Sequence, residues 1–210
     1  MEIMEHGNKS ADILLLQPVD EHDLALLEQE ISLIREHTGM DFCMAAFRVR
    51  SWNDDLSPLE APPAFGKEGF SGGADATLKE ILDYCVDKTK MYIIGGYSLA
   101  GLFALWSAYR TELFSGVAAA SPSVWFPGFW DFMKERKIRT DHVYLSLGDR
   151  EERTKNPVTK TVGDRIRGAE ALFNEQGVSC ILEWNRGNHF QDPEVRTAKA
   201  FSWVMKQKNS

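Results

Sequence analysis

A chain of 210 residues, 43% of them hydrophobic, has the length of one domain and enough apolar side chains for one sizeable core. Its 31 acidic and 24 basic residues leave a formal charge of −7 without a long basic run, which argues against nucleic acid or an anionic membrane as partner. Cys43, Cys85 and Cys180 are odd in number and far apart, so neither a disulfide framework nor a zinc site is expected, only reduced thiols.

Residues 1–9 are mixed polar, without the basic and apolar pattern of a signal segment, and Ile13-Leu14-Leu15-Leu16 is too short to span a membrane. A cytoplasmic protein is the expectation. The same apolar run reads as a first strand, and Asp20 caps a helix through Glu36 in which Leu24, Leu27, Ile31 and Ile34 recur at helical spacing. Residues 42–49 form a second strand. Residues 52–73, rich in proline and glycine and without a period, read as an ordered surface excursion, functional or a packing arm. Thr77-Leu78-Lys79-Glu80 has capping-box spacing and predicts a helix from there to about Lys88.

The run Met91-Tyr92-Ile93-Ile94-Gly95 then reads as a short buried parallel strand. After it, Leu99, Leu102, Phe103 and Trp106 recur at i, i+3, i+4 and i+7. Between strand and helix stands Gly96-Tyr97-Ser98-Leu99-Ala100-Gly101. A serine on such a turn is the nucleophile elbow of serine hydrolases, and the turn needs small neighbours, here Gly96 and Ala100. Alanine replaces the second consensus glycine, and Gly101 follows at once.

Further buried strands follow at 117–120 and 143–147. The connection between them carries Trp125, Phe126, Phe129 and Trp130, at a spacing that suits a pocket wall or core packing. Val162, Ile166, Ala169 and Phe173 mark an amphipathic helix ended by Gly177, and residues 179–184 a last strand. Asp192-Pro193 opens a terminal helix over Val195, Ala198, Phe201 and Met205. The alternation implies a single α/β domain over 1–210, a doubly wound, mostly parallel sheet with helices on both faces.

In such a sheet the loops after the strands carry the chemistry. Ser98 needs a base, and the base an orienting acid. Among five histidines, His189 alone lies after the last strand and before the last helix, in Arg186-Gly187-Asn188-His189-Phe190; His6, His22, His37 and His142 sit at wrong ends of elements or on exposed faces. The acid belongs to Gly148-Asp149-Arg150-Glu151-Glu152, because the chain order serine, acid, histidine is that of α/β-hydrolases. Glu151 is favoured, then Glu152, then Asp149.

The resemblance carried by Gly95 to Leu105, by Ala120-Ser121-Pro122-Ser123-Val124-Trp125 and by Gly187-Asn188-His189-Phe190 is to an esterase family of the α/β-hydrolase superfamily, the branch of esterase D-like enzymes, siderophore esterases and feruloyl esterases. The likeness spans about Ile13 to Met205. It implies Ser98 as nucleophile, His189 as base, and an acid three residues after a post-strand glycine, which from Gly148 is Glu151. No long helical insertion separates the strands, so a compact α/β-hydrolase fold without a large cap domain and an open, shallow pocket are expected. Secreted members carry signal peptides, so a plant-wall polymer is the less natural substrate.

Geometry then assigns an oxyanion hole to the backbone amide of Leu99, directly after the nucleophile, and to a second amide near Ser51, Trp52 or Asn53, of which Trp52 is chosen. Tyr97, Trp125 and Phe126 are the candidate substrate-binding residues, whereas Ser121 and Ser123 suit a turn better than a leaving-group site. The expected reaction is two-step acyl transfer from a small carboxylic ester to water, requiring no metal and no organic cofactor. An acyltransferase with the same three residues and a non-catalytic binding module on the same scaffold are the alternatives.

Overall fold

The computed structural model describes residues 1–64 and 66–207, and residue 65 and residues 208–210 lie outside that description. Seven strands form one sheet: β1 (Glu2–Gly7), β2 (Ile13–Val19), β3 (Cys43–Arg48), β6 (Met91–Tyr97), β7 (Phe114–Ala120), β8 (His142–Gly148) and β9 (Ser179–Asn185). Their order across the sheet is β1-β3-β2-β6-β7-β8-β9. All neighbours pair in parallel except β1, which runs antiparallel to β3 along one edge. That edge strand was not expected in the polar residues 1–9, since its partner lies some forty residues away and its exposed face carries charge.

The strand pleat sorts the apolar side chains into two layers. Ile13 and Leu15 face a layer closed by Leu27, Ile31 and Ile34 of α1 (Glu21–Thr38) and by Phe201 and Met205 of α7 (Pro193–Gln207). Leu14 and Leu16 face the other, with Phe103 and Leu105 of α4 (Leu99–Arg110) and Ile166 and Phe173 of α6 (Val162–Glu175). Leu15 and Leu16 are both fully buried, and each such leucine contributes roughly 1.5–3 kcal/mol. Asp20 caps α1 as expected, in a capping box with Asp23, and Gly39 closes it in the left-handed region at φ 63°.

Residues 52–73 hold three short elements: α2 (Trp52–Leu56) and a two-stranded ribbon of β4 (Glu60–Ala61) with β5 (Phe70–Ser71). The helix expected from Thr77 begins earlier and ends sooner, as α3 (Ala74–Tyr84). The Thr77 hydroxyl donates to the carbonyl of Asp55 at 2.7 Å instead of capping, so packing against α2 overrides the local signal. Between β7 and β8 stands only the six-residue α5 (Phe129–Lys134), and among the described residues no long helical insertion forms a cap over the sheet. Cys43 and Cys85 are buried, Cys180 is half-buried and all three are free thiols. No described helix is long and apolar enough to cross a membrane.

Chain direction across the sheet reverses between β2 and β6: β2 leads outward to β3, and β6 leads the other way through β7, β8 and β9. A crevice opens at the carboxyl ends of strands at such a switch point. Ser98, the residue directly after β6, stands there.

Candidate active site

The turn from β6 into α4 is tight enough to be selective about its residues. Ser98 adopts φ 56° and ψ −116°, a conformation that costs a non-glycine residue on the order of 1–3 kcal/mol and persists only where its surroundings hold it. Three backbone bonds do so: the Ser98 amide donates to Ala120, and the Ser98 carbonyl accepts from Leu102 and Ser123, all at 3.0 Å. A Cβ on Gly96 would lie 2.6 Å from the Cβ of Ala100, so glycine at 96 makes room for alanine at 100.

His189 arrives from the loop between β9 and α7. Its Nε2 lies 2.9 Å from Ser98 Oγ and its Nδ1 lies 2.7 Å from Glu151 Oε2. A carboxylate only accepts, so the ring proton belongs on Nδ1, and Nε2 is left to accept from the serine hydroxyl. Ser98 Oγ also lies 3.3 Å from Ser123 Oγ.

Glu151 is drawn inward by its own backbone, the Gly148 carbonyl accepting from the Glu151 amide at 3.0 Å. Its side chain is 5% exposed, and its Oε1 accepts from the Gly148 amide at 2.7 Å, the Ser121 hydroxyl at 2.9 Å and Arg196 Nη1 at 3.0 Å. Burial alone would raise its pKa, but the His189 hydrogen bond and charge, with the Gly148 and Ser121 donors, outweigh burial and hold the carboxyl below its ordinary value. Of the three acids in this loop, Glu151 alone reaches the histidine. Glu152 turns outward to Arg167, at 3.0 and 3.2 Å, and Asp149 accepts from the Gly187 amide at 2.8 Å.

Arg196 was not anticipated from the sequence. Only 2% exposed, it donates through Nη1 to Tyr97 Oη, Ser121 Oγ and Glu151 Oε1 at 3.0, 3.2 and 3.0 Å. Its Nη2 donates to the carbonyls of Arg186 and Asn188 at 3.2 and 3.0 Å. One planar guanidinium therefore grips the acid and the loop segment just before the histidine, which a single ammonium could not span. The available signal was a cation on an apolar helix face, since Arg196 shares the i, i+4, i+8 row of buried Ala200 and Val204.

Tyr97, expected at the substrate, sits behind the histidine. Its hydroxyl donates to the His189 carbonyl at 2.9 Å, the rings are 5.2 Å apart, and burial, followed by the nearby Glu151 charge, pushes its pKa up to about 12. Ser121, at φ 42°, donates its hydroxyl to Glu151 Oε1 and so belongs to the acid's network, a use neither the turn nor the leaving-group reading foresaw.

In front of Ser98 and His189 opens a cavity of about 550 Å³, lined by Trp52, Phe70, Leu99, Trp125 and Val162 on its apolar side and by Phe190, which is 87% exposed. The other connection aromatics lie elsewhere. Phe126 is buried against Phe70 at 5.0 Å and is not part of the lining, Phe129 is 1% exposed, and Trp130 covers Gly168, where a Cβ would meet it at 2.5 Å. Leu99 and Trp52 are the first residues of α4 and α2, so helix geometry leaves both amides without an intrahelical acceptor, and both residues line this cavity. A larger cavity, about 1110 Å³, lies at the opposite ends of the strands beside Met91 and His142 and contains none of these residues. Among the described residues no cluster of three or more histidine, cysteine or acidic side chains could hold a metal.

Among solved structures, the chain is similar to an IroE-like serine hydrolase from Shewanella oneidensis, with a TM-score of 0.76 and 15% identity over 97% of this chain and 75% of that one. A siderophore hydrolase from Aspergillus nidulans gives 0.65 at 20% identity, covering 97% and 85%, and a carboxylesterase from Bacillus cereus gives 0.62 at 17%, covering 98% and 94%. At these identities the likeness is one of fold. No protein-family model matches the chain, and no curated protein is similar to it in sequence.

Proposed function

We propose, from an α/β-hydrolase fold shared with these esterases, that the protein is a serine esterase cleaving small carboxylic esters through an acyl-enzyme. The observation that carries the proposal is the hydrogen-bonded line from Ser98 Oγ through His189 to Glu151, 2.9 Å and then 2.7 Å, beginning on a strained strand-to-helix turn. Ser98 gives its proton to His189 Nε2 as its oxygen attacks the ester carbonyl. The imidazolium returns that proton to the departing alcohol, and the acyl group stays on Ser98. Water, deprotonated by the same nitrogen, then releases the acid. Glu151 stays ionised throughout, fixing the tautomer and stabilising the imidazolium.

The amides of Leu99 and Trp52 hold the developing oxyanion, each worth roughly 3 kcal/mol to the transition state. The aromatic side of the cavity takes the organic part of the ester, and its size lies within the range of about 300–1,000 Å³ usual for small-molecule sites. The test is labelling by a fluorophosphonate probe with mass mapping of the adduct. The expected result is one adduct on Ser98, absent in Ser98→Ala and His189→Ala; a correctly folded wild type that takes no label overturns the proposal. Release of free acid without an added alcohol separates a hydrolase from an acyltransferase.

A further inference from the structure

The six residues Gly148 to Arg153 carry three acids and two arginines, and the two kinds are used differently. Each acid has partners: Asp149 the Gly187 amide, Glu151 its network, Glu152 the Arg167 guanidinium. The side chains of Arg150 and Arg153 have none among the described residues, only their backbones being bonded. Elsewhere Arg48, Arg110, Arg136 and Arg167 each reach a carboxylate, while the side chains of Arg139 and Arg186, like those of Arg150 and Arg153, have no partner among the described residues. What sets Arg150 and Arg153 apart from those two is place: both line the cavity that contains Ser98 and His189. The one carboxylate in that lining, Glu151, is already compensated by Arg196 and His189.

We infer that Arg150 and Arg153 select for a negative charge, so that the substrates are esters carrying a carboxylate or equivalent anion within reach of the scissile bond. The inference rests on the esterase reading and narrows it. A guanidinium matches a carboxylate with two parallel hydrogen bonds, and a cationic mouth on an acidic protein concentrates anions there and nowhere else along the cavity wall. The aromatic side of the cavity holds the uncharged remainder of the molecule, so the preferred ester is amphipathic, apolar at one end and anionic at the other.

The experiment compares kcat/KM within two pairs of esters, one charged on the acyl side and one on the alcohol side: mono-4-nitrophenyl glutarate against 4-nitrophenyl pentanoate, and 4-acetoxybenzoate against 4-acetoxytoluene. The readout is the anionic-to-neutral ratio in wild type and in Arg150→Gln/Arg153→Gln, which cancels intrinsic reactivity. The ratio is expected to fall about tenfold in the double variant for at least one pair. Raising salt from about 50 mM to about 500 mM moves the wild-type ratio toward the variant's, reading the same charge without any substitution. Ratios equal in wild type and variant for both pairs mean that the arginines are solvated surface charge only, and the inference fails. Ser98-dependent cleavage of the neutral esters leaves the esterase reading standing in that case, whereas a wild type that cleaves none of the four esters overturns both.

Discussion

Two buried carboxylates in this molecule have opposite fates. Glu151, at the carboxyl end of β8, accepts from an amide, a hydroxyl, a guanidinium and an imidazole, and its carboxyl is held below its ordinary pKa. Glu30, 3% exposed between α1 and β2, has a single donor, the Gln17 side-chain amide at 3.3 Å. Burial, reinforced by the Asp23 and Glu194 charges and only partly opposed by Gln17, pushes its pKa up to about 8. Gln17 Oε1 and Glu30 Oε1 have no partner among the described residues, and a proton on Glu30 supplies a donor to that pair. The difference teaches that burial does not set charge; the number of donors aimed at the group does.

The comparison breaks most sharply if Glu151 loses its charge without its shape. Glu151→Gln should lower kcat/KM for a 4-nitrophenyl ester by about 10³–10⁴-fold, because a neutral amide lets His189 adopt the wrong tautomer. Glu30→Gln and Glu152→Gln, measured in the same assay, should stay within about twofold, since neither touches the histidine. Removing the cation comes next. Arg196→Met leaves Glu151 buried beside a lost partner and should cost roughly 3–5 kcal/mol in urea melts, with kcat falling about a hundredfold; Arg196→Lys should restore only part of either.

The smallest effect concerns sign. The folded-state pKa of Glu30 lies above its ordinary 4.5, so its contribution is fully present below that value and is lost as pH rises through about 8. Glu30→Gln should therefore gain on wild type from pH 5 to pH 9, by on the order of 2–3 kcal/mol in urea melts, and a constant difference across that range would contradict the raised pKa. Glu151, lowered, has the opposite sign: its contribution is present above the ordinary carboxylate range and is lost as pH falls.

What could be read without the structure follows the range of the interactions. Ser98, His189 and Glu151 were legible because each sits at a place the α/β alternation dictates, directly after a strand, and local residue types mark the places. The α1 capping box was legible for the same reason. Arg196 was not, because its meaning depends on Tyr97, Ser121 and Glu151, which lie 45 to 99 positions away. Tyr97 and Phe126 were placed at the substrate by proximity along the chain, yet a strand end and a packed turn point them behind the site and into the core. Thr77 looked like a cap until Asp55 claimed its hydroxyl.

The loop from Gly148 to Arg153 interleaves side chains that the fold depends on with side chains it does not. Asp149, Glu151 and Glu152 are tied to the histidine loop or to α6, while the side chains of Arg150 and Arg153 have no hydrogen-bond or ion-pair partner among the described residues. The loop therefore divides into positions that hold the structure together and positions that only face the cavity. Substitutions at 150 and 153 change the face presented to the cavity with little penalty in folding, so under the esterase proposal ester preference and the Ser98-His189-Glu151 line can be altered independently.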